Sequence, residues 1–298
     1  MLDPGQFIQS HTPYLDLVPE YRDKTILAIG GHGQQIRKLA HDYGFKNVVI
    51  SSDFVAQLKH IHPFPEISKG HHEEHGCCDI NLRSTPISAI LVWTSPRDWC
   101  LDLQLISDLL QSEGGLIDKR RSPKNNGRSF PNDGFLQDGQ PKLYFCNPDF
   151  EWSTEHEQPR FAQGAFRAAL EGVWSDRTGG KAKLEYTICG KPTLTTYVYG
   201  ERALREYNER IRPSGKIETV YMVGDNPESD IAGANTFKSP HGTKWKSILV
   251  ETGVHVAGSE PNHRPYHTTK DVMGAVLWAL GEEGLGTNGS SSAQCGGT

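Results

Sequence analysis

Short β-rich apolar runs recur along this chain, most of them closed by a glycine or a polar turn and followed by a stretch with helical spacing. Residues 24–31 (KTILAIGG) lead into QQIRKLAHDYGF, where Ile36, Leu39 and Ala40 share a helical face and Gly44 is placed to end the helix. NVVI at 47–50 is β-rich again, which makes a βαβ succession. The pattern resumes at Ile87 with ISAILVW, a helix start at Ser95-Pro96-Arg97-Asp98, and a stripe of Leu101, Leu105, Leu109 and Leu110. KLYFCNPD, TICGKPT, TVYMVGDN and KSILVETG read as further strands, and GAFRAALEGVW, LTTYVYGERALREYNERI and DVMGAVLWALGEE as helices. Such alternation predicts an α/β architecture with mostly parallel sheets. In that architecture chemistry gathers beyond the carboxyl ends of strands.

Two polar stretches interrupt the pattern. Residues 59–86 are rich in His, Pro and Ser, and residues 113–140 in Gly, Asn, Pro and Arg; both read as surface insertions. The tail, 282–298, has little to bury and reads as disordered. A net charge of -5 leaves no basic surplus for neutralising phosphates, which argues against a nucleic-acid partner. No apolar run approaches the ~20 residues of a membrane span. The N-terminus has neither a secretory signal nor a transit-peptide composition. Six cysteines without a C-x-x-C pair suit free thiols in a reducing, non-secreted setting.

The strongest chemical signal is VGDNPESDIAGAN. A strand ends at Gly224, delivers Asp225, and Asp230 follows at the start of a helix. Two carboxylates converging there would suit Mg²⁺; a turn residue and an N-cap would give the same letters. Upstream, Cys189-Gly190-Lys191-Pro192-Thr193 places a lysine after another strand, able to neutralise a phosphate or carboxylate, or simply to sit in a solvated turn.

Together, in this order, these segments resemble motif III (Lys191) and motif IV (Asp225, Asp230) of the haloacid dehalogenase (HAD) superfamily. GDNPESDIAGAN, SILVETGV, DWCLDLQLISDLL, YFCNPDFEW and PRFAQGAF look like subfamily IIA, and within it the cat eye syndrome critical region protein 5-like group. The resemblance implies a Rossmann-like core with a large α/β cap of type C2. It makes residues 1–23 a remnant of the core's N-terminal half, 24–186 the cap, and 187–281 the C-terminal half of the core. It further implies Mg²⁺-dependent hydrolysis of a small phosphorylated substrate through an aspartyl nucleophile. Asn147, Asp149 and Asn226 would lie near that substrate, although a turn and a helix cap would also explain the first two. Relatives of this kind are often mitochondrial; a cytoplasmic setting is the alternative.

The departure from the family is as informative as the match. The family's nucleophile is the first Asp of an Asp-x-Asp on the first core strand, and no two aspartates here are spaced by two. MLDPGQFIQSHTP resembles the stretch after motif II, on the third core strand. Two βα units, roughly 30 residues each, are therefore expected to be missing before Met1. Without the nucleophile the chain is expected to be inactive as written. The strand at 220–223 would lose its inner neighbour and expose an edge, which a protein partner would have to cover. A non-catalytic ligand- or partner-binding protein is thus the alternative function.

Gly31-His32-Gly33, with Asp53 after the next strand, makes most of a dinucleotide fingerprint, but Ile36 replaces the third glycine. His60, His62, His71, His72 and His75, with Glu73, Glu74, Cys77 and Cys78, could bind zinc, but their spacing matches neither H-E-x-x-H nor a zinc finger. They read as a polar insertion with adventitious metal affinity.

Overall fold

The computed structural model describes residues 4–119, 121–152, 154–255 and 257–285, so most of the tail read as disordered lies outside the described residues. The chain divides into two compact units, 1–200 and 201–298.

The first unit holds α1 (Val18–Tyr21), β1 (Thr25–Ile29), α2 (Gln35–Tyr43), β2 (Asn47–Ile50), α3 (Ser51–Gln57), α4 (Lys69–His75), β3 (Ala89–Val92), α5 (Trp99–Gln111), β4 (Lys142–Phe145), the short β5 (Glu151–Trp152) and β6 (Arg160–Phe161), α6 (Gln163–Arg177) and β7 (Thr187–Ile188). Strands β2-β1-β3-β4-β7 form one parallel sheet, while β5 and β6 pair antiparallel. Each residue of β1 is buried, as the continuous apolar run TILAI requires of a parallel strand covered on both faces. Side chains alternate between the two faces. Leu27, Ile29, Ile90 and Val92 pack with Leu101, Leu105, Phe166 and Trp174 from α5 and α6. Ile26, Ala28, Ala89 and Leu91 pack with Ile36 and Ala40 of α2 and with Tyr14 and Tyr21. Gly44, at φ 110, closes α2 in the left-handed conformation expected there.

Tyr14 donates to the Val92 carbonyl at 3.0 Å, so part of the stretch read as a core remnant packs on this sheet. No strand forms at Phe7 and Ile8, where the resemblance placed the third core strand; Phe7 is exposed, and a short 3₁₀ turn lies on either side. β7 pairs with β4, so this sheet continues past the boundary expected between Tyr186 and Thr187.

Helix α7 (Leu194–Ile211) crosses the division. The second unit then contains β8 (Thr219–Gly224), α8 (Ala232–Thr236), β9 (Lys244–Val250), β10 (His267–Thr269) and α9 (Val272–Glu282). Its parallel sheet has the order β10-β9-β8, so among the described residues β8 is an edge strand. Its residues are half-buried rather than buried. The apolar cluster here is small: Ile248, Val250 and Ala275, with Tyr221, Val223, Trp278 and Ala279 against them. No helix among the described residues is long and apolar enough to cross a membrane.

Candidate functional site

Strand β8 delivers the two carboxylates that the sequence singles out. After Gly224 comes Asp225, and a π-helical turn over Pro227–Ile231 carries Asp230. Asp230 is buried, and its Oδ2 accepts the Asn226 N–H at 3.2 Å. Asp225 Oδ2 accepts the Val254 N–H at 2.7 Å, and the Asp225 carbonyl accepts the His255 N–H at 3.1 Å. Glycines make room for both: a methyl group on Gly224 would collide with the Asp230 carboxylate, and one on Gly253 with that of Asp225. Main-chain donors thus hold two carboxylates near one strand end, and their hard oxygens would suit Mg²⁺. The Asn226 side-chain oxygen accepts the Glu228 N–H at 2.9 Å, so it caps the turn.

Lys191 lies in the first unit, just past β7, and is joined to Pro192 by a cis peptide bond. A methyl group on Gly190 would collide with the Cys146 carbonyl, so the lysine loop runs against the segment after β4. There Asn147 Oδ1 accepts the Asp149 N–H at 2.9 Å, and Gln163 Oε1 accepts the Asn147 N–H at 2.9 Å. The first unit therefore brings the loops of Lys191, Asn147 and Asp149 side by side, while Asp225, Asn226 and Asp230 gather in the second. Burial pushes the Cys146 and Cys189 thiols up to about 11 and about 12, so neither is a thiolate nucleophile at neutral pH.

The dinucleotide reading does not fit the geometry. Gly31 has positive φ, and its N–H donates to Thr94 Oγ1 at 2.6 Å. Asp53, which would have to reach a ribose, is buried at 1% exposure. Its carboxylate takes Arg37 at 2.6 Å and the backbone N–H groups of Ile50 and Cys77 at 2.9 and 2.8 Å. Both of its oxygens are used inside the protein.

The His-rich stretch is not the loose surface loop its composition suggests. It forms α4 and buries His62 and His72 at the carboxyl end of the sheet. Asp98, the N-cap of α5, accepts from His62 Nε2 at 2.8 Å and from Ser68 Oγ at 2.8 Å, and His72 Nε2 stands 3.5 Å away. Burial would raise the Asp98 carboxyl, but bonds from the Leu101 N–H, Ser68 and His62 outweigh it and bring it down to about 2. These groups border a cavity of about 470 Å³, which Gly31, Trp99 and Asp102 also line. Spacing could not reveal this cluster, because its carboxylate lies beyond β3; the one local signal was Asp98 as a helix start.

Residues 188–275 match the HAD-hydrolase-like family. Over 300 aligned residues the chain is 34% identical to a mitochondrial hydrolase of Saccharomyces cerevisiae, covering 94% of this chain and 78% of that protein. It is also 34% identical over 280 residues to the cardiolipin synthase (CMP-forming)/mitochondrial hydrolase fusion protein of Schizosaccharomyces pombe, covering 94% of this chain but only 43% of that relative. Among solved structures, a possible sugar phosphatase of the HAD superfamily from Cytophaga hutchinsonii aligns with a TM-score of 0.53 at 16% identity, covering 91% of this chain and 71% of that one. That likeness is one of fold.

Proposed function

The chain belongs to the HAD-like hydrolase superfamily, and from that premise we propose that it carries the magnesium-binding part of a phosphoester-hydrolysing site together with a substrate-selecting α/β unit. Asp225 holds Mg²⁺ and Asp230 supports it. Lys191 holds phosphoryl charge. Asn147, Asp149 and Asn226 lie toward a small phosphorylated substrate. Bound there, the ion would offset charge on phosphate oxygens. The observation that carries this reading is the pair of carboxylates at the end of β8, each packed against a glycine.

Because these 298 residues contain no Asp-x-Asp, they supply no aspartyl nucleophile of the family's kind, and the chain by itself does not turn over phosphoesters. A non-catalytic binding role is the second reading, favoured by the place of β8 as an edge strand among the described residues, where a protein partner could add a strand. The names of both yeast relatives support a mitochondrial setting.

The test is p-nitrophenyl phosphate hydrolysis alongside calorimetric Mg²⁺ titration. No turnover is expected, with Mg²⁺ binding that is lost in Asp225→Asn. Turnover that requires Mg²⁺ and vanishes in Asp225→Asn would overturn the inactivity. Failure of the unsubstituted chain to bind Mg²⁺ would overturn the metal assignment.

A further inference from the structure

We propose that His62, His72 and Asp98 form a second metal site, in the first unit, for a divalent first-row transition ion, with zinc as its probe. One candidate ligand atom from each residue lies within 4.8 Å of the other two. The contacts of His62 Nε2 and His72 Nε2 with Asp98 Oδ2, 2.8 and 3.5 Å, bracket the roughly 3.3–3.5 Å that separates ligands on one tetrahedral zinc. Both imidazoles are almost wholly buried, at 3% and 4% side-chain exposure. Two nitrogens and one carboxylate oxygen suit a first-row transition ion such as zinc and do not suit magnesium.

The surroundings orient these atoms. Ser52 Oγ pairs with His72 Nδ1 at 2.9 Å, which turns Nε2 toward Asp98. Asp98 spends Oδ1 on the Leu101 N–H at 3.0 Å, which leaves Oδ2 as the atom facing both histidines. His62 Nε2 carries the proton of its bond to Asp98, because Nδ1 accepts the Phe64 N–H at 3.2 Å. Zinc binding must therefore move the Nε2 proton to Nδ1, by exchange through solvent, so that a neutral imidazole is the ligand. Protonating Nδ1 would open the Phe64 contact, and Phe64 is 71% exposed and can yield. Three protein ligands beside a cavity of about 470 Å³ leave a fourth position for water or an anionic ligand atom.

The experiment strips the full chain with a chelator, then titrates zinc in excess magnesium at neutral pH. One zinc per chain is expected, with affinity lowered at least about tenfold in Asp98→Asn and in His72→Gln. Asparagine still caps α5, so the first variant keeps its fold. Cobalt in place of zinc should give the intense visible absorption of a four-coordinate ion, lost in the same two variants and kept in His71→Gln. Absence of stoichiometric uptake would overturn the proposal. So would uptake unchanged in Asp98→Asn and His72→Gln, or uptake lost in His71→Gln, because the ion would then sit on outlying histidines.

Discussion

In the first unit β1 is buried along its whole length between two apolar clusters; in the second, every residue of β8 is only half-buried. Both are parallel strands with apolar sequences, TILAI and TVYMVG, and the sequences alone rank them as equals. Position in the sheet separates them. β1 has a strand on each side, whereas β8 pairs with β9 alone among the described residues. Cover separates them too. Helix α5 buries Leu101, Leu105 and Leu109, whereas α9 leaves Val272, Met273 and Leu277 more than half exposed. The carboxylate pair is thus built on the thinly covered sheet, where main-chain N–H donors and tight glycines do the positioning. The histidine cluster is built on the fully covered one.

The sharpest way to break this comparison is to truncate a residue in each sheet. Ile90→Ala in β3 should cost about 2–5 kcal/mol in urea unfolding, and Val223→Ala in β8 less than about 1.5 kcal/mol. Equal losses would mean that β8 is as well covered as β3.

Full cover also buries a carboxyl. Burial, reinforced by the Asp98 charge and opposed by the Ser51 hydroxyl, pushes Asp102 up to about 7. Folded Asp102 therefore keeps a proton that the unfolded chain has released, so its contribution to stability falls as pH rises from about 4 through about 7. Asp102→Asn should flatten this loss, which approaches about 1.4 kcal/mol per pH unit inside the window. Metal-free denaturation at several pH values measures it. A wild-type slope unchanged in the variant would show that Asp102 stays charged.

In the second unit, Gly253→Ala should cost about 1–3 kcal/mol, because alanine is strained at φ +139 and its methyl displaces Asp225. Mg²⁺ affinity should fall with it, as read by calorimetry; unchanged affinity would detach the ion from Asp225. The smallest effect is expected at Leu277→Lys on the exposed face of α9, within about 0.5 kcal/mol. A larger loss would mean that this face is covered in solution.

Much of the fold was legible because its signals are local. The strands at 25–29, 47–50, 89–92 and 142–145, the left-handed Gly44 and the stripe on α5 follow from apolar periodicity and turn chemistry. Asp225 and Asp230 were legible for the same reason, since strand, glycine and carboxylates sit within a dozen residues. The stretch 59–86 was misread as loose because its polar composition hides where its histidines go. The place of Asp53 was not legible, although the lost third glycine already argued against a dinucleotide, because nothing in its spacing shows that Arg37 and two backbone N–H groups hold its carboxylate.

By itself, then, the sequence determined the alternation of elements, the parallel α/β class and the strand that carries the acidic pair, because hydrophobic period and backbone conformation are set by neighbours along the chain. Only the tertiary structure decided the strand order β2-β1-β3-β4-β7 and the meeting of His62 and His72 with Asp98. Those depend on which distant segments exclude water together, and no local pattern encodes that choice.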